Sequence, residues 1–255
     1  MILAIDIGNS NIVLGCIEQE RILFEARIAT DTVKTSDQYC AELKTMLELF
    51  GVPISGVEGV IISSVVPPVL NSFTTAVRKL TGIVPLVVGP GMKTGLNILL
   101  DDPAQAGGDL IVGAVAAIAE YGAPLLIVDM GTATTICAIN EKAALLGGCI
   151  CPGVKISMEA LTGRTAQLPG ISLDEPKRAI GRNTVESMRS GILFGAAAML
   201  DGLLMRMEEE LGGETPVVIT GGIARFVMPL CRHKMIYDHD LLLKGLKRLY
   251  DMNRR

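Results

Sequence analysis

The sequence predicts an α/β protein made of two like halves, each an antiparallel three-stranded meander followed by helices and further strands. Three observations carry this. A shift of 123 residues lays Ile2-Leu3-Ala4-Ile5-Asp6-Ile7-Gly8-Asn9 over Leu125-Leu126-Ile127-Val128-Asp129-Met130-Gly131-Thr132, with the apolar, Asp and Gly positions in register. After each Asp-x-Gly come two more apolar runs at hairpin spacing, 12–17 and 22–28 in the first half, 134–139 and 143–150 in the second. Each half then changes to helical periodicity.

In the first half, Tyr39, Leu43, Met46, Leu47 and Phe50 fall on one helical face, and Gly51 closes the helix. A strand is expected at 60–64, a helix after Pro67-Pro68, and a strand at 84–88 ended by Gly89-Pro90-Gly91. The helix at 105–121 leads to the strand at Leu125, so the domains are expected at 1–122 and 123–255, closely packed with a cleft between them. In the second half, Asn183 is an N-cap residue with Glu186 three positions on, where a capping box wants an acid. The apolar positions that follow run to Met207 and stop at Gly212-Gly213. A strand at 217–220, Gly221-Gly222, a helix and a strand near 235–237 complete the chain.

Composition narrows the function. With 255 residues, 49% of them apolar and 20% charged, the chain can bury a sizeable core, which excludes general disorder. The longest uncharged apolar runs, 110–119 and 191–200, span ten residues where a membrane helix needs about 20, so no membrane partner is expected. The N-terminus has no basic segment and carries Asp6 where a signal peptide would stay apolar, which points to the cytoplasm. A net charge of -4 with no Trp, 4 Tyr and 5 Phe leaves little for nucleic acid to hold. Cys16, Cys40, Cys137, Cys149, Cys151 and Cys231 are expected to pack as small hydrophobes, since no second Cys pair or nearby His completes a zinc set around Cys149-x-Cys151.

An aspartate ending a buried strand and followed by x-Gly offers a fixed carboxylate for a hydrated Mg²⁺, while the glycine lets backbone N–H groups face phosphate oxygens. A single Asp-x-Gly is an ordinary hairpin turn. Its repetition in register, with Asn9-Ser10-Asn11 and Thr132-Ala133-Thr134-Thr135 beside it, points instead to two loops gripping one triphosphate. Residues 217–222 add a buried strand that breaks into two glycines, suited either to a tight turn or to close approach of a ligand. No G-x-G-x-x-G follows a strand, and Gly91-Met92-Lys93-Thr94 lacks P-loop spacing.

These segments, together with residues 102–109 and Gly147-Gly148-Cys149-Ile150-Cys151-Pro152-Gly153, resemble in their order the type III pantothenate kinases. That family lies in the acetate and sugar kinase, Hsp70 and actin superfamily, whose duplicated ribonuclease H-like domains close on ATP. The resemblance implies an actin-like ATPase fold and ATP-dependent phosphorylation of pantothenate to 4'-phosphopantothenate, the first step of coenzyme A biosynthesis, by a homodimer. It implies a first phosphate loop of Asp6, Ile7, Gly8, Asn9, Ser10, Asn11, Ile12 and Val13, with Asp6 near Mg²⁺. Thr132 is implied in phosphate contact, Asp129 as ligand of a monovalent cation (K⁺ or NH4⁺), and Gly221 and Gly222 beside the adenosine. The substrate positions implied are Leu100, Gly107, Gly108, Asp109, Leu110 and Thr184, with Asp109 the base that deprotonates the acceptor hydroxyl.

Asp109 also precedes an apolar run as a helix N-cap does, and both roles stay open. Two positions depart from the family pattern: Leu110 stands where Arg is usual, and Leu100 where Tyr is common. Arg164, Arg182 and Lys155 are the cations available to replace the Arg. Alternatives are a kinase for another small hydroxylated substrate, or a catalytically weak paralogue resembling the Bvg accessory factor. His233 and His239 match no catalytic position and are expected to be solvated or capping residues.

Overall fold

The computed structural model describes residues 1–254, in two units. Unit 1 comprises Met1–Leu96, Asp101–Ala116 and the stretch from Asp240 onward; unit 2 comprises Asn97–Leu100 and Ala117–His239. The contacts therefore do not divide at a single joint between 122 and 123. Three segments, Asn97–Leu100, residues 117–122 and the stretch from Asp240 onward, pack with the half to which they do not belong in sequence.

Unit 1 opens with β1 (Ile2–Ile7), β2 (Asn11–Glu18) and β3 (Arg21–Ala29), paired antiparallel with Ile7 opposite Ile12 and Asp6 opposite Val13. Thr35 and Gln38 form a reciprocal capping box that starts α1 (Ser36–Leu49), which buries Tyr39, Leu43 and Leu47. β4 (Gly59–Ser64) then pairs parallel to β1, with Ser63 beside Asp6. α2 (Pro67–Thr81) begins on its two prolines, where a missing N–H costs nothing, and packs against α1. β5 (Leu86–Val87) completes the sheet order β3-β2-β1-β4-β5 and is shorter than the sequence suggests. Leu3, Ile5, Ile7, Val60 and Ile62 line the α1/α2 face, whereas Ile2, Ala4 and Ile61 line the other.

β6 (Asn97–Ile98) pairs with a strand of unit 2, and α3 (Gly108–Tyr121) follows. Unit 2 repeats the meander as β7 (Leu125–Met130), β8 (Ala133–Ile139) and β9 (Ala144–Pro152), with Asp129 opposite Thr135. α4 (Val154–Gly163), α5 (Thr184–Leu211), β10 (Val217–Thr220), α6 (Ala224–Val227) and β11 (Ile236–Tyr237) complete it, in the sheet order β11-β10-β7-β8-β9-β6. β10 runs parallel to β7 and sets Thr220 beside Asp129, as β4 sets Ser63 beside Asp6. The last helix, α7 (Leu241–Asn253), returns to unit 1 and buries Leu241, Leu243, Leu246 and Leu249. Leu243 occupies the space a side chain at Gly15 would need, and the Tyr250 ring that at Gly59, so two strand glycines let the helix dock on the sheet.

The 28 residues of α5 are long and apolar enough, by length and composition, to cross a membrane; the expectation from the sequence counted only uninterrupted uncharged runs. The helix caps as read: Asn183 Oδ1 accepts from Glu186 N–H at 2.9 Å, and Gly212 ends it in the left-handed conformation at φ 93°. Met188, Leu193, Ala197, Leu200 and Leu204 form its buried stripe, and the last four join the core of unit 2 with Leu126, Val128 and Ile219.

Near the end of α5, His233 is neither solvated nor a cap. Its side chain is 17% exposed, with Nδ1 3.3 Å from Asp201 Oδ1 and Nε2 3.1 Å from Glu208 Oε2. Asp201 also accepts from the N–H groups of Arg232 and His233, and Glu208 from that of Thr215. Burial works against a charged imidazole here, but the hydrogen bonds and charges of Glu208 and Asp201 outweigh it and raise the pKa above 6.5. Only the imidazolium donates from both nitrogens. A raised folded-state pKa gives stability that is complete below the unfolded value and is lost as pH rises through the folded one. His233→Gln is therefore expected to cost about 1 to 3 kcal/mol near pH 6, and less near pH 9. Thermal melts across that range check this; an equal loss at both ends contradicts it.

Candidate active site

In unit 1 the first loop is a tight hairpin between Ile7 and Ile12. Gly8 N–H donates to Asn11 O at 3.0 Å, Thr30 Oγ1 donates to Gly8 O at 2.6 Å, and Thr30 N–H donates to Ser10 O at 3.1 Å. Thr30, just past β3, thus takes up two loop carbonyls, while Asn9, Ser10 and Asn11 are exposed. Ile12 is buried and anchors the loop; Asp6 and Val13, opposite each other, are half-buried.

Asp6 lies on the same sheet face as Ala4, and its parallel neighbour Ser63 on the same face as Ile61. On that face α3 begins. Gly108, its first residue, lies close to Ser63: a Cβ added there would be 3.2 Å from Ser63 Oγ. Asp109 comes second, its Oδ1 accepting from Leu110 N–H at 2.8 Å while Ile111 N–H bonds Gly107 O at 3.1 Å. Asp109 is therefore an acid inside the first helical turn, where the helix dipole favours it, and not the N-cap residue the sequence allowed. A Cβ at Gly107 would come within 2.5 Å of Asp109 Oδ1, so the glycine makes room for the carboxylate. Leu110, half-buried, follows directly.

In unit 2, Asp129, one residue before the end of β7, lies between Thr135 on β8 and Thr220 on β10. Gly221 turns there with φ 95°; a Cβ on it would lie 2.6 Å from Met130 O and 2.8 Å from Asp129 Oδ1. A carboxylate and a carbonyl oxygen are thus drawn together against a residue that has to be glycine. That donor set fits a hard cation. Thr132 lies in the β7–β8 turn, against which the Gly153 backbone packs too closely for any side chain. Gly222 follows and leads into α6.

The remaining predicted positions lie in unit 2. Leu100 follows β6 and lies beside Gly147, where an added Cβ would be in ordinary contact with Leu100 Cδ2 at 3.5 Å, so it is the φ of 139° that favours glycine there. Thr184 is exposed at the first position of α5, and Arg164, Arg182 and Lys155 are exposed as well. Cys149 and Cys151 lie on one side of β9, and burial, then the neighbouring Cys151, pushes the Cys149 thiol up to about 11. Ser63 and Thr30 escaped the sequence reading; a Ser or Thr at a strand end carries no periodic signal.

A model of the type III pantothenate kinase family matches residues 2–206. A type III pantothenate kinase of Halalkalibacterium halodurans is 43% identical over 253 residues, covering 99% of this chain and all of that one. One from Bacillus cytotoxicus is 46% identical over 253 residues, covering 99% and 97%. Among solved structures, a proposed Baf family transcriptional activator from Campylobacter jejuni superposes with a TM-score of 0.59 at 19% identity over 98% of both chains. Component A of (R)-2-hydroxyglutaryl-CoA dehydratase from Acidaminococcus fermentans gives 0.56 at 13% identity over 96% and 94%. These structural likenesses establish the two-domain actin-like fold.

Proposed function

The chain belongs to the type III pantothenate kinase family, and from that premise we propose how its own residues perform the transfer of the γ-phosphoryl group of ATP to the primary hydroxyl of pantothenate. Phosphoryl transfer passes through a loose transition state, so the protein contributes positioning and charge more than covalent chemistry. Asp109 accepts the hydroxyl proton as the acceptor oxygen bonds to the γ-phosphorus and the bond to the β-phosphate oxygen breaks, its electron pair leaving with ADP. The observation that carries this reading is the start of α3: Gly107 leaves room for the Asp109 carboxylate, and Gly108 lies against Ser63, the register partner of Asp6 on the sheet.

In this reading Asp6 and the residues 7–13 hold the phosphates, Asp6 through hydrated Mg²⁺, which when bound offsets triphosphate charge. Thr132 contributes a phosphate contact, Asp129 with Met130 O holds K⁺ or NH4⁺, and Gly221 and Gly222 border the adenosine. Leu100, Gly107, Gly108, Leu110 and Thr184 contact pantothenate. With Leu at 110 and 100, two of those contacts are apolar, where the family's Arg and Tyr would offer hydrogen bonds. We also propose a homodimer, with Thr184 at its interface, working in the cytoplasm.

A coupled ADP-release assay with pantothenate, Mg²⁺ and K⁺ tests the substrate. Turnover that depends on pantothenate is expected; turnover only with a different alcohol, or nucleotide binding without turnover, overturns the assignment. Replacing K⁺ by Na⁺ in that assay is expected to lower activity severalfold, because an oxygen site fitted to the larger ion holds the smaller one poorly. Equal rates in the two salts remove the cation from Asp129.

A further inference from the structure

Ser63 is 0% exposed, and its Oγ has no hydrogen-bond partner. The next residue shows the contrast: Ser64 Oγ accepts from Val66 N–H at 3.1 Å. Leaving a buried hydroxyl unpaired is unfavourable, and alanine at this position would avoid it at no polar cost. Ser63 is placed where a hydroxyl has a use. It stands in register with Asp6 on the parallel neighbour of β1, on the face where Ile61, Ala4 and Val88 form an apolar floor that packs with Val112 of α3. Above that floor its Oγ abuts Gly108, one residue before Asp109. The Asp109 carboxylate leans back over Gly107, so hydroxyl and carboxylate flank the same pair of glycines. The duplicated unit repeats the arrangement in its own way, with Thr220 beside Asp129.

We propose that Ser63 is a positioning residue for phosphoryl transfer: its hydroxyl donates to the Asp109 carboxylate when that carboxylate leaves Leu110 N–H for the acceptor alcohol. The inference rests on Asp109 being the base. Before substrate binds, the hydroxyl is buried and unpaired; with substrate present it fixes the carboxylate's direction, so its contribution falls on the chemical step and not on the binding of either substrate.

The test compares Ser63→Ala, Asp109→Asn and the double variant with the full-length enzyme, using kcat, the KM for ATP and for pantothenate, and the melting temperature. Ser63→Ala is expected to lower kcat about tenfold with both KM values within about twofold of the original, as for loss of one hydrogen bond to a charged group. Its melting temperature is expected to be equal or higher, since an unpaired buried hydroxyl is removed. In the Asp109→Asn background the same change is expected to alter kcat by less than about twofold. An unchanged kcat, a lowered melting temperature, or the full tenfold loss persisting without the Asp109 carboxylate each overturns the proposal. If Asp109→Asn is itself unimpaired, the base assignment fails and takes this inference with it. If Asp109→Asn is impaired while Ser63→Ala behaves like the original enzyme, only this inference fails.

Discussion

Asp109→Asn lowers kcat by about 10² to 10⁴ and leaves the affinity for ATP nearly unchanged, if the carboxylate takes the proton from pantothenate's hydroxyl. The amide matches the carboxylate in shape, and its oxygen can still accept from Leu110 N–H, the bond that Oδ1 now receives at 2.8 Å. The first turn of α3 therefore survives the change, apart from the modest contribution of an acid at a helix N-terminus, about 0.3 to 1 kcal/mol. The two possible roles of this residue thus separate cleanly. A base loses rate and keeps stability; a purely structural first-turn acid loses a little stability and keeps rate. Steady-state kinetics with nucleotide titration, beside a thermal melt, distinguishes them.

Gly221→Ala has the second large effect, and it acts first on folding. At φ 95° an L side chain is strained, and its Cβ would stand 2.6 Å from Met130 O and 2.8 Å from Asp129 Oδ1. Strain together with a backbone clash in a turn that cannot yield is expected to cost about 2 to 4 kcal/mol. The turn cannot yield easily because Ile223 N–H reaches back to Met130 O and the adjoining strand Val217–Thr220 is buried throughout. In molecules that do fold, the Asp129 carboxylate is expected to be displaced, so the K⁺ dependence proposed for it is expected to weaken in the same variant. A melting temperature within a degree of the original removes the close-approach argument for this glycine.

Much of this architecture is legible in the residues. The two meanders read correctly because alternating apolar residues, broken by Asp-x-Gly, leave little choice of register: once Ile7 pairs with Ile12, Asp6 has to face Val13. Asn183 with Glu186 and Gly212 marked the ends of α5 almost to the residue. β6 escaped because two residues carry no period. α7 escaped as well, since the expectation ended at the strand near 235–237, and nothing local says that a helix at the end of the second half packs on the sheet of the first. Its docking depends on Gly15 and Gly59, more than 180 residues earlier in the chain. The same limit explains Ser63. Two adjacent serines end β4, and which of them meets Gly108 follows from pairing with β1, not from the run Val-Ile-Ile-Ser-Ser itself.

The candidate site shows the same division. Asp6, Asp129 and Asp109 stand out as residues, but what holds their surroundings in place lies in their neighbours: Thr30 bracing the first loop, Gly221 against Asp129, and Gly107 clearing the Asp109 carboxylate. At positions 110 and 100 this chain carries Leu where the resemblance implies Arg and Tyr.

The most direct measurement is the fate of the terminal phosphate. Enzyme in excess over γ-labelled ATP is mixed with pantothenate, Mg²⁺ and K⁺, and the products of a single turnover are separated. The label is expected on pantothenate in amounts equal to the ADP formed, and to stay on ATP when pantothenate is left out. Label released as inorganic phosphate, or retained on ATP with pantothenate present, would contradict a transfer to pantothenate by this chain.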